Sequence, residues 1–152
     1  MAGTRYSKIV QVRILANTRE VALHRGNSMS STESLERLTK LAADCSRDGW
    51  DGYAATAVSA GAVANAARLI HALPKDLPSP DPGAEPDGCV TLEWYVSPSL
   101  FISVSVAPNG RLDYVAILGE RKEPGTSAVA DEFPSGIRRL VRQICSVESE
   151  PL

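Results

Sequence analysis

The groups in this chain best suited to chemistry are carboxylates. Asp51 sits in Gly49-Trp50-Asp51-Gly52-Tyr53, Asp87 in Glu85-Pro86-Asp87-Gly88, and Glu93 in Leu92-Glu93-Trp94-Tyr95. Were the first segment folded over the start of the strand that carries Glu93, these acids could share a divalent cation or work as an acid/base pair. That gives one candidate activity, a carboxylate-based metal-dependent hydrolase. The simpler reading makes Asp51 and Asp87 turn residues that bond their own backbone, and Glu93 a solvated residue on an open sheet face.

Other catalytic groups are sparse. The two histidines, His24 and His71, are far apart, and His71 falls near a helix C-terminus where a cation is favoured by the dipole. There is no HExxH, no CxxC pair, and no GxSxG, GxxxxGK[ST] or GxGxxG turn, so no metal or cofactor is read from the chain. Cys45, Cys89 and Cys145 are odd in number and widely spaced. They read as reduced, mostly buried thiols of a cytoplasmic protein. Trp50 and Tyr53 could stack a base, a sugar or another small ligand. Aromatics in a helix–helix connection more often plug the end of a core, with the indole N–H and phenol O–H reaching surface partners.

These residues must be positioned by a single domain. A chain of 152 residues, 43% hydrophobic and 22% charged, can bury a core of its own. No apolar run approaches the roughly 20 residues that span a bilayer, and the apolar positions near the N-terminus are broken by Gln11 and Arg13. Neither membrane insertion nor secretion is expected. Residues 1–28 hold five basic side chains (Arg5, Lys8, Arg13, Arg19, Arg25) against Glu20. That balance of +4 leaves −6 for the rest of a chain whose net charge is −2. An acidic body with a short basic arm is not the footprint of a nucleic-acid binder.

The organisation follows from periodicity. Residues 1–30 read as a basic arm, either one strand (Val10, Val12 and Ile14 alternate with polar neighbours) or unstructured. Residues 31–147 read as one α+β domain, and 148–152 as a tail. A helix starts near Ser31-Thr32, carries Leu35, Leu38, Leu41, Ala42 and Cys45 on one stripe, and stops at Gly49. An alanine-rich helix runs from Ser59 to Pro74. Five prolines between Pro74 and Pro86 predict an irregular, stiff surface connection.

Three alternating segments follow, 90–96, 100–106 and 112–118, with Asn109-Gly110 predicting a type I′ hairpin turn. A last helix is expected from about Asp131 to Ser146, with Pro134 in its first turn. The predicted architecture is an antiparallel meander of three strands, four if the N-terminal segment joins, with helices on one face. Its outer face would carry Thr91, Glu93, Tyr95, Phe101, Ser103, Ser105, Val115 and Ile117. That mixture is too apolar to stand open, and implies a cover by the arm, a second copy or another protein.

The G-W-D-G-Y turn, the helix ending in Leu73-Pro74, the proline-rich connection, Pro86-Asp87-Gly88 and Leu92-Glu93-Trp94 together resemble a family of small bacterial proteins of uncharacterised function. The resemblance spans roughly residues 33–120. In that family the W-D-G-Y motif continues with a glycine and then a proline, where this chain has Ala54 and Ala57. The resemblance implies a bacterial, cytoplasmic, single-domain protein and carries over no catalytic residue. The expected function is a non-enzymatic protein-interaction or regulatory role, antitoxin-like or immunity-like, with a protein partner or self-association to a homo-oligomer. The expected binding residues are Trp50, Asp51, Tyr53, Glu93, Tyr95 and Phe101.

Overall fold

The computed structural model describes residues 29–148. Among them are three helices, α1 (Ser31–Asp44), α2 (Ala60–His71) and α3 (Ser135–Glu148). The five strands are β1 (Asp81–Ala84), β2 (Val90–Ser97), β3 (Leu100–Val106), β4 (Arg111–Leu118) and β5 (Arg121–Ala128). The strands form one sheet in the order β1-β2-β3-β4-β5, every neighbour antiparallel, which is an uninterrupted meander.

The helices begin where their capping residues predict. Ser30 accepts the Glu33 N–H at 3.1 Å, and the Ser30…Glu33 spacing is that of a capping box. Ser59 caps α2 by accepting the Gly61 N–H at 3.2 Å. Two helix boundaries differ from expectation. α1 ends at Asp44, well before Gly49, because the Cys45 carbonyl accepts the N–H of Val58 at 2.9 Å. The chain turns there to build the next loop. α3 starts at Ser135 and not at Asp131, with the Pro134 carbonyl accepting the Arg138 N–H at 3.0 Å.

Five strands stand where three or four were expected. β1 arises inside the proline-rich connection. Pro82 lacks an N–H, but a proline is tolerated in an edge strand, and here it lies opposite Leu92. β5 has no hydrophobic alternation to reveal it. It is placed by a two-residue turn whose first residue, Gly119, has φ 67°, the position a type II′ turn reserves for glycine. Where β5 passes Tyr114, a Cβ on Gly125 would collide with the Tyr114 ring, so the glycine makes room for that aromatic. The Asn109-Gly110 hairpin exists but is not type I′, since Gly110 alone has positive φ (88°). Gly110 N–H instead bonds Ala107 O at 3.1 Å across Pro108-Asn109, a turn followed by a left-handed glycine. The strand expected over Val10–Ile14 falls outside the described residues.

One face of the sheet carries the core. Val90, Leu92, Trp94, Ile102, Val104, Val106, Leu112 and Ala116 form one cluster with Leu38 of α1, Ala62, Ala66, Leu69 and Ile70 of α2, and Ile137, Leu140, Val141 and Ile144 of α3. The small side chains of Ala62 and Ala66, fully buried, let α2 approach closely. Trp94 is core as expected. Its indole N–H donates to Pro78 O at 2.7 Å, and its ring meets Phe133 edge-on at 6.3 Å.

Candidate functional site

The connection between α1 and α2 is an ordered loop built from its own hydrogen bonds. Asp51 Oδ1 accepts the N–H groups of Tyr53 (2.9 Å) and Ala55 (3.2 Å). Gly49 N–H donates to Ala55 O at 2.7 Å, and Gly52 N–H to Gly49 O at 2.9 Å. The Trp50 indole N–H closes the loop by donating to Thr56 O at 2.9 Å, and Asp48 Oδ1 accepts the Ala57 N–H at 2.9 Å. Gly49 and Gly52 have φ of 78° and 81°, which explains both glycines of the motif.

A second motif clamps the first. Thr56 N–H donates to Pro86 O at 2.8 Å and Ser59 N–H to Gly88 O at 2.9 Å. The Asp87 turn is itself closed by Gly88 N–H to Glu85 O (3.0 Å) and Cys89 N–H to Asp87 Oδ1 (3.1 Å). Gly88 has φ 91°, and a Cβ there would stand 3.0 Å from Ala57 O. The loop therefore folds against the Pro86–Gly88 turn, joining the segments that carry Asp51 and Asp87. Thr56 and the backbone of this clamp were invisible in the sequence, because main-chain partners leave no residue-type signal.

At the loop's apex Tyr53 is 87% exposed. It is the one exposed large hydrophobic side chain among the described residues. The expectation that Trp50 and Tyr53 together plug the core is corrected for Tyr53. The Tyr53 N–H is held by Asp51 Oδ1, while the half-buried Trp50 closes the loop through its indole N–H.

The remaining expected residues lie elsewhere. Glu93, Tyr95 and Phe101 share the sheet face opposite the helices. Tyr95 pairs directly with Phe101, their rings 6.0 Å apart, and Glu93 Oε1 accepts the Ser103 hydroxyl at 3.3 Å. Glu93 is 7% exposed, which corrects its reading as a solvated residue. Glu85, fully buried beside the clamp, was not singled out by the sequence at all.

Each candidate catalytic acid is thus engaged locally: Asp51 and Asp87 close turns, and Glu93 accepts from Ser103 across the sheet. No group of three His, Cys, Asp or Glu side chains among the described residues could hold a metal ion. The cysteines are free, with Cys45 and Cys89 buried and Cys145 half-buried. Burial, with a smaller contribution from the Asp44 charge, pushes the Cys45 thiol above its ordinary pKa and makes it a poor nucleophile. No helix among the described residues is long and apolar enough to cross a membrane. No protein family, curated protein or solved structure matches the chain.

Proposed function

We propose that this chain is a non-enzymatic interaction module that docks a protein partner through the Trp50–Tyr53 loop, in an antitoxin-like, immunity-like or regulatory role in the bacterial cytoplasm. The observation that carries the reading is Tyr53, 87% exposed on a loop already held in place. Tyrosine supplies a large amphipathic contact at low entropic cost, and contact residues that anchor interfaces are enriched in it. An ordered loop loses little further freedom on binding, so more of the contact energy appears as affinity. Exposed Asp44, Asp48 and Asp87 outnumber Arg47 around the loop, which favours a partner of positive surface charge.

The test is recovery of the tagged full chain from its native host at native expression, wild type beside Tyr53→Ala. A stoichiometric protein bound to wild type, and at least about 30-fold weaker with the variant, is expected for an anchor worth roughly 2 kcal/mol. A partnerless wild type, or equal binding by both chains, overturns the reading.

A further inference from the structure

We infer that the Tyr53 loop docks on the arginine-bearing face of α3 in a second copy of this chain. This rests on the reading of that loop as a docking element and adds what it docks on. Arg138, Arg139 and Arg142 lie on α3, and Arg121 begins β5. Two carboxylates serve these four guanidinium groups. Asp76 takes Arg142 at 2.6 Å and Arg138 at 3.6 Å, while Glu123 takes Arg139 and Arg121, both at 3.3 Å. All four arginine side chains keep between 42% and 62% of their surface in solvent.

Donors outnumber acceptors on this face. A guanidinium carries five N–H groups and a carboxylate accepts about four. Arg138 is the clearest case: its ion pair is too long for a hydrogen bond, and its Nε–H has no acceptor. A partner bearing carboxylates would give the exposed donors charge-assisted bonds in place of water. The chain itself supplies such a partner. Asp44 and Asp48 are exposed on the loop end, Asp51 is half-buried there, and Tyr53 projects among them at 87% exposure. A tyrosine ring also stacks on a guanidinium face. One end of the molecule thus carries acids around an exposed aromatic, and α3 carries the groups that recognise both.

The two surfaces are held apart within one chain. The loop is clamped at Gly88, two residues before the start of β2 at Val90. Glu123 shares a sheet row with Ala116, Ile102 and Trp94, four residues beyond Val90 and three strands across. That offset is about 13 Å along the strands and about 14 Å across them. The contact therefore joins two copies through unlike surfaces, a head-to-tail interface that adds chains in series. Nucleic acid is the poorer occupant, because the arginines are half neutralised by Asp76 and Glu123 and the chain's net charge is −2.

Sedimentation velocity on the full chain, over a range of concentrations, tests this at low salt and at about 1 M salt, where the Debye length falls to about 3 Å. The inference expects self-association that salt weakens. It should be at least about 10-fold weaker in Tyr53→Ala and in the double variant Arg139→Gln, Arg142→Gln, with circular dichroism showing both folded. The sharpest sample is an equimolar mixture of the two variants. One keeps an intact arginine face and the other an intact loop, so together they should form a one-to-one pair and nothing larger. A monomeric wild type, association indifferent to either change, or a mixture that stays monomeric overturns the inference. Nucleic acid recovered through the arginine pair in place of a second copy overturns it too. Recovery from the host separates this failure from that of the loop reading. A different protein, lost with Tyr53→Ala, would overturn self-docking alone, whereas a monomeric chain that recovers nothing would overturn both.

Discussion

The backbone of exposed Tyr53 is held by its N–H donating to Asp51 Oδ1, which also accepts from Ala55, so the setting of one residue depends on the chemistry of another. Replacing Tyr53 by alanine removes no packed contact and should change stability by no more than about 0.5 kcal/mol, read from urea melts. Replacing Asp51 by alanine leaves two loop N–H groups without their acceptor and should destabilise by roughly 1–2 kcal/mol. Amide exchange at Tyr53 and Ala55 should quicken in that variant while α3 is unchanged. At the same scale, the raised Cys45 thiol should alkylate far more slowly at pH 8 than a free cysteine. Its linkage has a definite sign. A thiol kept protonated by the fold favours the folded state below the ordinary thiol pKa, and that advantage is lost as pH rises above it.

Among the elements, β5 is the one most dependent on a neighbour. Its sequence, Arg121 to Ala128, has no apolar row, and its place is secured by pairing with β4 and by the Tyr114 ring lying over Gly125. Gly125→Ala should therefore displace that ring and destabilise by about 1–3 kcal/mol, with loss of β5 amide protection before that of β3. α3 is tied at its exposed side to Asp76, which accepts from Arg142 Nη2 at 2.6 Å and Nε at 2.8 Å. The hydrogen bond from Arg142, and the charges of Arg142 and Arg138, hold the Asp76 carboxyl below its usual range. A depressed carboxylate contributes stability at neutral pH that is lost as pH falls through its folded-state pKa. The melting-temperature difference between wild type and Asp76→Asn should accordingly be present at pH 7 and shrink as pH falls through the carboxyl's folded-state pKa.

At the scale of the molecule, a meander brings every strand beside its sequence neighbour, and three helices seal one face with a single cluster. Leu140 and Ile144 sit in that cluster fully buried, so Leu140→Ala should cost about 2–5 kcal/mol and lower the whole transition, not a local one. Seen as a whole, the molecule separates two surfaces the sequence had offered together as binding residues. Trp50, Asp51 and Tyr53 form a loop at the sheet's end, whereas Glu93, Tyr95 and Phe101 lie together on the sheet face opposite the helices.

Much of the fold was legible because it rests on local rules. Ser59 announces a helix start through capping, the start expected near Ser31-Thr32 falls beside its Ser30 cap, and the alternation of Val90 to Val96 and Leu100 to Val106 declares strands with one inward row. What depended on distant partners was not legible. β1 forms because β2 offers Asp81–Ala84 an edge, and β5 because Tyr114 needs a glycine opposite. The early end of α1 was settled by a bond from the Val58 N–H to the Cys45 carbonyl, whereas the type of the Asn109-Gly110 turn is a local matter that the sequence, with Pro108 before it, already contained. In the site, the residue types of the W-D-G-Y turn were plain, and Asp51 behaved as a turn residue should. The sequence by itself determined that this loop would be glycine-shaped and capped by an aspartate. Only the tertiary structure decided that Tyr53 would face solvent, because main-chain bonds to Pro86 and Gly88 orient the loop, and such bonds are written in geometry and not in residue identity.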